Sequence, residues 1–330
     1  MFPSNQLLTS GIHSSLTDTA AFVVDDSFSV DLWVGDGVSE TINNGIDIST
    51  EGGMVWIKNR SSSSYHHNIY DTARGATKYL ATDDTTAEAT NSQGLTSFTS
   101  TGFSVGSSSP VNYNGHNIAS WSFKKNTRFF DIIDYTGDSS AGRTIAHNLG
   151  VQAGLVIVKT YDTATTQWAV QHRSLGGTKY LYLNTNLAAQ LHTTLWNDVT
   201  MDDSVITLGT NANTNQSGRN YVAYVFAHDT DTDGVIKCGS YTGNGSTQAI
   251  SLGWKPQFVL IKKTSTTGSW LVMDTARGMG AGNEEYMLVD LMNADSNTGV
   301  LSLDSDGFTL DTTVMNGSSI DFIYMAIREE

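Results

Sequence analysis

The sequence predicts an all-β protein: three tandem homologous antiparallel β-sandwich domains, jelly-roll-like, behind a short N-terminal arm. Three observations carry that prediction. Apolar stretches are short and rich in β-branched and aromatic residues, as in MVWIK (54–58), LVIVK (155–159) and FVLIK (258–262). Such runs suit a pleated, half-buried surface and are too short for amphipathic helices. Turn residues separate them, and Asn-Gly occurs at 44–45, 114–115, 244–245 and 316–317. That dipeptide tolerates positive φ and closes hairpins. Finally, landmarks recur in order at a spacing of about 100 residues, the mark of a duplicated unit.

The repeat is most visible in DTARG, which stands at 71–75 and again at 274–278. A worn middle copy keeps an arginine at Arg173, giving the series Arg74, Arg173 and Arg277. Other markers follow the same order. An aromatic strand end runs into a Gly turn at Trp33, Tyr135 and Tyr241, and an apolar strand ends in Lys58, Lys159 and Lys262. A Gly turn at Gly115, Gly218 and Gly317 precedes IASWSF, YVAYVF and FIYMAI. The predicted domains are 28–126, 127–229 and 230–330, with residues 1–27 as the arm. Units of about 100 residues are large enough to own a core.

Each element has a local reason. Turn signals imply roughly seven strands per unit. The closing strand, as in Tyr221–Phe226, is apolar on both faces. It therefore belongs inside a sheet, with a domain, loop or subunit over its outer face. The best helix candidate is Leu187–Leu191. DTARG fits a compact turn whose Arg pairs with a carboxylate or caps carbonyls, in all three copies; an Arg that binds an anionic ligand is the alternative. Lys58, Lys159 and Lys262 read as strand-end lysines that keep their ammonium groups in water.

The composition narrows function. The chain has 330 residues, 15% charged, with a formal net charge of −15. A surface that acidic repels phosphate backbones and anionic headgroups, so neither nucleic acid nor membrane insertion is expected. No apolar run is long enough for a membrane-spanning helix. The opening MFPSNQLLTSGIHSS has no basic region or apolar stretch of a signal peptide. The single cysteine, Cys238, reads as a small buried strand residue.

No catalytic motif appears among the eight histidines, and no nucleophile elbow or phosphate loop is present. No enzyme activity is expected. One acidic run stands out: Asp229-Thr-Asp231-Thr-Asp233-Gly234 matches the first half of a calcium loop, although Ser240 holds the position where a bidentate acid belongs. Its alternative reading is a solvated linker at a domain junction. Trp168, Trp196, Trp254 and Trp270 are expected in the core. Tyr65 and Tyr113, flanked by Ser, Asn and Gly, are expected at the surface and able to stack on a sugar.

Segments 221–263, 54–80 and 96–115 resemble stretches of tailed-bacteriophage virion proteins, notably of marine phages. The ending IYMAIREE is similar to the close of phage tail-fibre-like repeats, with Ile327 where Phe is usual. The resemblance implies a non-enzymatic virion structural protein on the particle surface, assembled in the host cytoplasm, of tail-fibre or receptor-binding type. A head decoration protein is the alternative, and a glycan-degrading tailspike a lesser one. It implies a homo-oligomer, with a trimer favoured, and a host surface glycan or receptor as ligand. Residues 1–27 mix Phe2, Leu7, Leu8, Ile12, Phe22 and Val23 with Ser and Thr, and read as an extended arm that docks onto another virion protein or a sister subunit.

Overall fold

A computed structural model describes residues 22–282, 285–297 and 299–330. Strand accounts for 43% of the chain and helix for 6%, which places it in the all-β class. Among the described residues every strand pairing is antiparallel.

Three six-stranded sheets repeat one strand order. The first runs Phe28–Val34, Asn117–Lys124, Gly53–Asn59, Asn68–Asp71, Lys78–Ala81, Ala89–Thr90. The second runs Phe130–Thr136, Asn220–Ala227, Ala153–Thr160, Ala169–His172, Lys179–Tyr182, Gln190–Leu191. The third runs Ile236–Thr242, Asp321–Arg328, Pro256–Lys263, Leu271–Asp274, Glu285–Leu288, Ser296–Asn297. In each, the closing strand sits between the opening strand and the lysine-ended strand, as its doubly apolar pattern requires. Smaller sheets accompany them: Glu40–Asn43 with Gly102–Val105 and Leu95–Thr99, Arg143–Ala146 with Val205–Leu208, and Gln248–Ser251 with Gly307–Leu310 and Leu301–Asp304. Leu187–Leu191 is not a helix; Gln190 and Leu191 form a sheet edge instead. Its backbone is engaged elsewhere, with the Ala189 N–H donating to Thr264 O at 2.9 Å and the Leu187 carbonyl accepting from Lys262 Nζ at 2.8 Å.

The two faces of the large sheets have different fates. In the first stretch Val55, Ile57, Tyr70 and Ile118 pack against Phe103 and Val105 of the small sheet. The third stretch has a matching interior around Val259, Ile261, Phe308 and Phe322. The opposite faces meet one another. Trp56, Trp121 and Phe123 from the first stretch join Tyr224 and Phe226 from the second and Phe258 and Leu260 from the third, in one cluster that also takes in the second sandwich interior. Phe123 lies 5.4 Å from Phe226 and 6.1 Å from Phe258, both edge to face. Burying each such side chain contributes about 1.5–3 kcal/mol. The expectation that each sandwich holds a wholly separate interior is therefore corrected: the largest interior is shared among all three stretches.

The loops beside the opening strands are held by a recurring device. Asn112, Asn215 and Asn316 are fully buried. Their side-chain oxygens accept from the backbone N–H of Asp36, Asp138 and Asn244 at 3.0, 3.0 and 2.9 Å. The backbone passes so close that a Cβ on Gly35, Gly137 or Gly243 would lie 2.5, 2.2 or 2.3 Å from a carbonyl oxygen. That contact explains the Gly after each aromatic strand end.

The predicted arm reaches the body at its last residues. Phe22 lies 5.9 Å from Phe129, and Val24 is buried and opens a short 3-10 turn. The Val24 N–H donates to Glu330 Oε2 at 3.0 Å, joining the two ends of the described chain. Residues 1–21 of the arm lie outside the described residues.

Candidate functional site

The repeated pentapeptide marks the seams between stretches. Asp71 ends a strand, and its Oδ1 accepts from the Arg74 backbone N–H at 2.9 Å. Arg74 returns its Nε to Oδ2 at 2.6 Å and its Nη2 to the Ile69 carbonyl at 3.1 Å. Asp274 and Arg277 copy this arrangement at 2.9 and 2.8 Å, with Val272 as the carbonyl at 3.2 Å. Gly75 and Gly278 take φ of 95° and 87°, a region that penalises any Cβ. Both arginines are buried, and their role is the turn.

Each carboxylate accepts one further bond, from the next stretch. Tyr224 Oη donates to Asp71 Oδ2 at 2.7 Å, and Trp121 Nε1 donates to Asp274 Oδ2 at 2.9 Å. The middle copy differs in a correlated way. Register places His172 opposite Leu155 as Asp71 lies opposite Met54 and Asp274 opposite Phe258. On the third closing strand the register equivalent of Trp121 and Tyr224 is Met325, which has no donor. His172 instead directs Nε2 to the Tyr324 carbonyl at 3.1 Å, while its Nδ1 accepts from Ser174 N–H at 3.2 Å. Burial pushes its pKa down to about 3. The structural counterpart of Arg74 is then Leu175. Arg173 is not equivalent to Arg74 and Arg277, which corrects the sequence alignment. Its guanidinium goes to Gln152 Oε1 at 3.1 Å and toward the Cys238 carbonyl at 3.4 Å.

The strand-end lysines also require correction, because all three are fully buried. Each ammonium is shared between a carbonyl of its own stretch and one of a neighbour. Lys58 Nζ donates to Tyr65 O at 2.6 Å and Met292 O at 2.9 Å. Lys159 Nζ donates to Thr166 O at 2.8 Å and Thr85 O at 3.1 Å. Lys262 Nζ donates to Gly268 O at 2.6 Å and Leu187 O at 2.8 Å. Desolvation lowers each pKa to about 8. An alternating apolar strand pattern cannot reveal that a loop from elsewhere will cover its last residue.

Backbone bonds complete the seams: Glu88 N to Tyr161 O at 2.8 Å, Ala189 N to Thr264 O at 2.9 Å, and Asp295 N to Arg60 O at 3.2 Å. Two of the predicted core tryptophans take part. Trp168 Nε1 donates to Ala81 O and Trp270 Nε1 to Tyr182 O, each at 2.9 Å. First to second, second to third and third to first stretches thus make the same contacts. A head-to-tail contact that returns to its start is a closed ring.

The acidic run converges on an arginine. Arg128 Nε donates to Asp229 Oδ2 at 2.7 Å and Nη1 to Asp233 Oδ2 at 3.1 Å, with Asp231 Oδ2 3.3 Å from Nη2. The calcium reading is corrected accordingly, since the guanidinium occupies the place where the three carboxylates would gather a cation. Among the described residues no group of three or more His, Cys, Asp or Glu is arranged for a metal. Arg128 lies about 100 residues upstream, too far for a local motif to reveal.

Tyr65 and Tyr113 come together, with ring centroids 6.4 Å apart. His116, which the sequence did not single out, lies 4.3 Å from Tyr113 and 6.4 Å from Tyr65. Tyr113 is 43% exposed. Elsewhere, His66 Nδ1 meets Asp83 Oδ2 at 2.8 Å, and that carboxylate raises the imidazole pKa. Asp83 also accepts from the His67 backbone N–H at 3.1 Å, so it serves the loop. Cys238 is buried, and desolvation pushes its thiol pKa up.

A comparison with curated proteins returns no match. The family described as a domain of unknown function, DUF7483, matches residues 24–330, which takes in all three six-stranded sheets and the seams that join them. The chain belongs to the DUF7483 family.

Proposed function

We propose that the chain is a non-enzymatic structural protein of a phage particle, built from three copies of one β-sandwich module and displaying their loops for adhesion. Two lines support this reading. The sequence resembles tailed-phage virion proteins along nearly its whole length. The cyclic seam is the single structural observation that carries it: buried aspartates, lysines and tryptophans are spent on joining modules, which suits a rigid carrier. Loops on such a scaffold are free to vary and bind. The doubly apolar strands, which called for a domain, loop or subunit as cover, find that cover within the chain, so the homotrimer rests on the resemblance alone.

A head decoration protein is the second reading. A single chain that closes three modules into a ring offers three similar loop sets, which suits a three-fold position on a lattice. Immunogold labelling of purified particles with antibody against this chain separates the two. Label at the tail tip supports adhesion, and label over the head supports decoration. Particles that carry no label overturn both. Release of reducing sugar from host polysaccharide by the purified chain would overturn the non-enzymatic reading.

A further inference from the structure

We propose that Tyr65, Tyr113 and His116 form a shallow platform that binds the apolar face of a neutral sugar. The three modules act as internal controls for what the fold itself needs. Register aligns Asn117, Asn220 and Asp321, so Gln216 and Gly317 stand where the first stretch has Tyr113, and Arg219 and Ile320 where it has His116. Tyr65 corresponds to Thr166 and Gly268, the residues whose carbonyls hold the equivalent lysines. The backbone at these places is structural, and the aromatic side chains are not: two modules make the same turns without them. At this place only the first module gathers three rings, so they answer to something other than the turns that carry them.

Their chemistry selects the ligand. Pyranose rings present a face of C–H groups that stacks on an aromatic ring while the hydroxyls stay wet, and Tyr combines such a face with a polar tip. The backbone beneath the rings and the His116 imidazole are held in place by hydrogen bonds. The Tyr113 carbonyl accepts from His116 N–H at 3.0 Å, Gly115 N–H is tied to Gly35 O at 2.8 Å, and His116 Nδ1 meets Asn59 Oδ1 at 3.1 Å. Exposed Ser63, Ser64 and Asn114 supply polar groups in the same loops. The net charge of −15 disfavours uronates and sulfated sugars. An open platform without a pocket binds weakly, with Kd of about 1 mM per site.

The inference rests on the adhesion reading only for the use of the site. The test is affinity electrophoresis of the full chain through gels cast with dextran, mannan, galactomannan or mixed-linkage β-glucan, with polygalacturonate as the anionic control. We expect retardation in at least one neutral gel, reduced at least threefold by Tyr65→Ala/Tyr113→Ala and kept by Tyr65→Phe, at unchanged melting temperature. Migration unaltered in every neutral gel, retardation by polygalacturonate alone, or retardation equal in the double Ala variant would overturn it. Particle labelling is independent of this result, so sugar binding without label refutes the location and leaves the site standing.

Discussion

Tyr224 Oη donates to Asp71 Oδ2 at 2.7 Å across 153 residues of sequence, and Trp121 Nε1 reaches Asp274 Oδ2 across the same 153. One bond runs from the second stretch to the first, the other from the first to the third. Each is the same contact in a ring of three, and the second closes the ring; the separations coincide because the closing-strand donor lies about half a repeat after the aspartate. The aspartate persists where its neighbour supplies a donor and is His172 where the neighbour supplies Met325.

Tyr224→Phe removes a bond to a buried carboxylate and leaves Arg74 as its remaining side-chain donor. It is expected to destabilise the protein by about 2 kcal/mol, read as a lower urea midpoint at unchanged slope. His172→Asp, which buries a carboxylate with neither arginine nor donor, is expected to cost more. Adding Leu175→Arg and Met325→Tyr should recover part of that loss. An unchanged midpoint in Tyr224→Phe would sink the seam account.

His172 gives the seam a pH dependence. Burial lowers its pKa from 6.5 to about 3, so the fold favours the neutral ring. Its contribution is complete above pH 6.5 and is lost as pH falls toward 3. By pH 5 the loss is about 2 kcal/mol. Stability measured from pH 7 to 4.5 should fall less steeply in His172→Gln than in the wild type.

Arg128 stands among the carboxylates of Asp229, Asp231 and Asp233. Chelator and millimolar calcium are both expected to leave the wild-type melting temperature unchanged. Arg128→Gln should melt at a lower temperature, because Asp229 is buried, and should be raised again by calcium. Calcium stabilising the wild type as much as the variant would contradict this assignment.

The shared interior makes a prediction about the isolated module. Residues 28–126 expressed alone would expose Met54, Trp56, Trp121 and Phe123, which the other stretches cover in the whole chain. Analytical ultracentrifugation should find the fragment self-associated and the full chain at its own mass of 35.6 kDa. A fragment that stays monomeric and folded would mean the shared interior adds little.

The strand vocabulary and the order of the markers are legible from residue order alone. Short β-branched runs, Asn-Gly turns and recurring Gly, Lys and DTARG positions are local patterns, and local backbone preference reads them directly. Asn112, Asn215 and Asn316 stand at equal distance before each closing strand, a regularity the sequence also carries. What Lys58, Lys159 and Lys262 face, that Arg128 fills the acidic run, and that His116 joins Tyr65 and Tyr113 follow from the assembled fold. Those outcomes depend on loops that arrive from distant stretches of chain. A pattern of two-residue periodicity records which face of a strand is apolar, and it carries no record of which partner will cover that face.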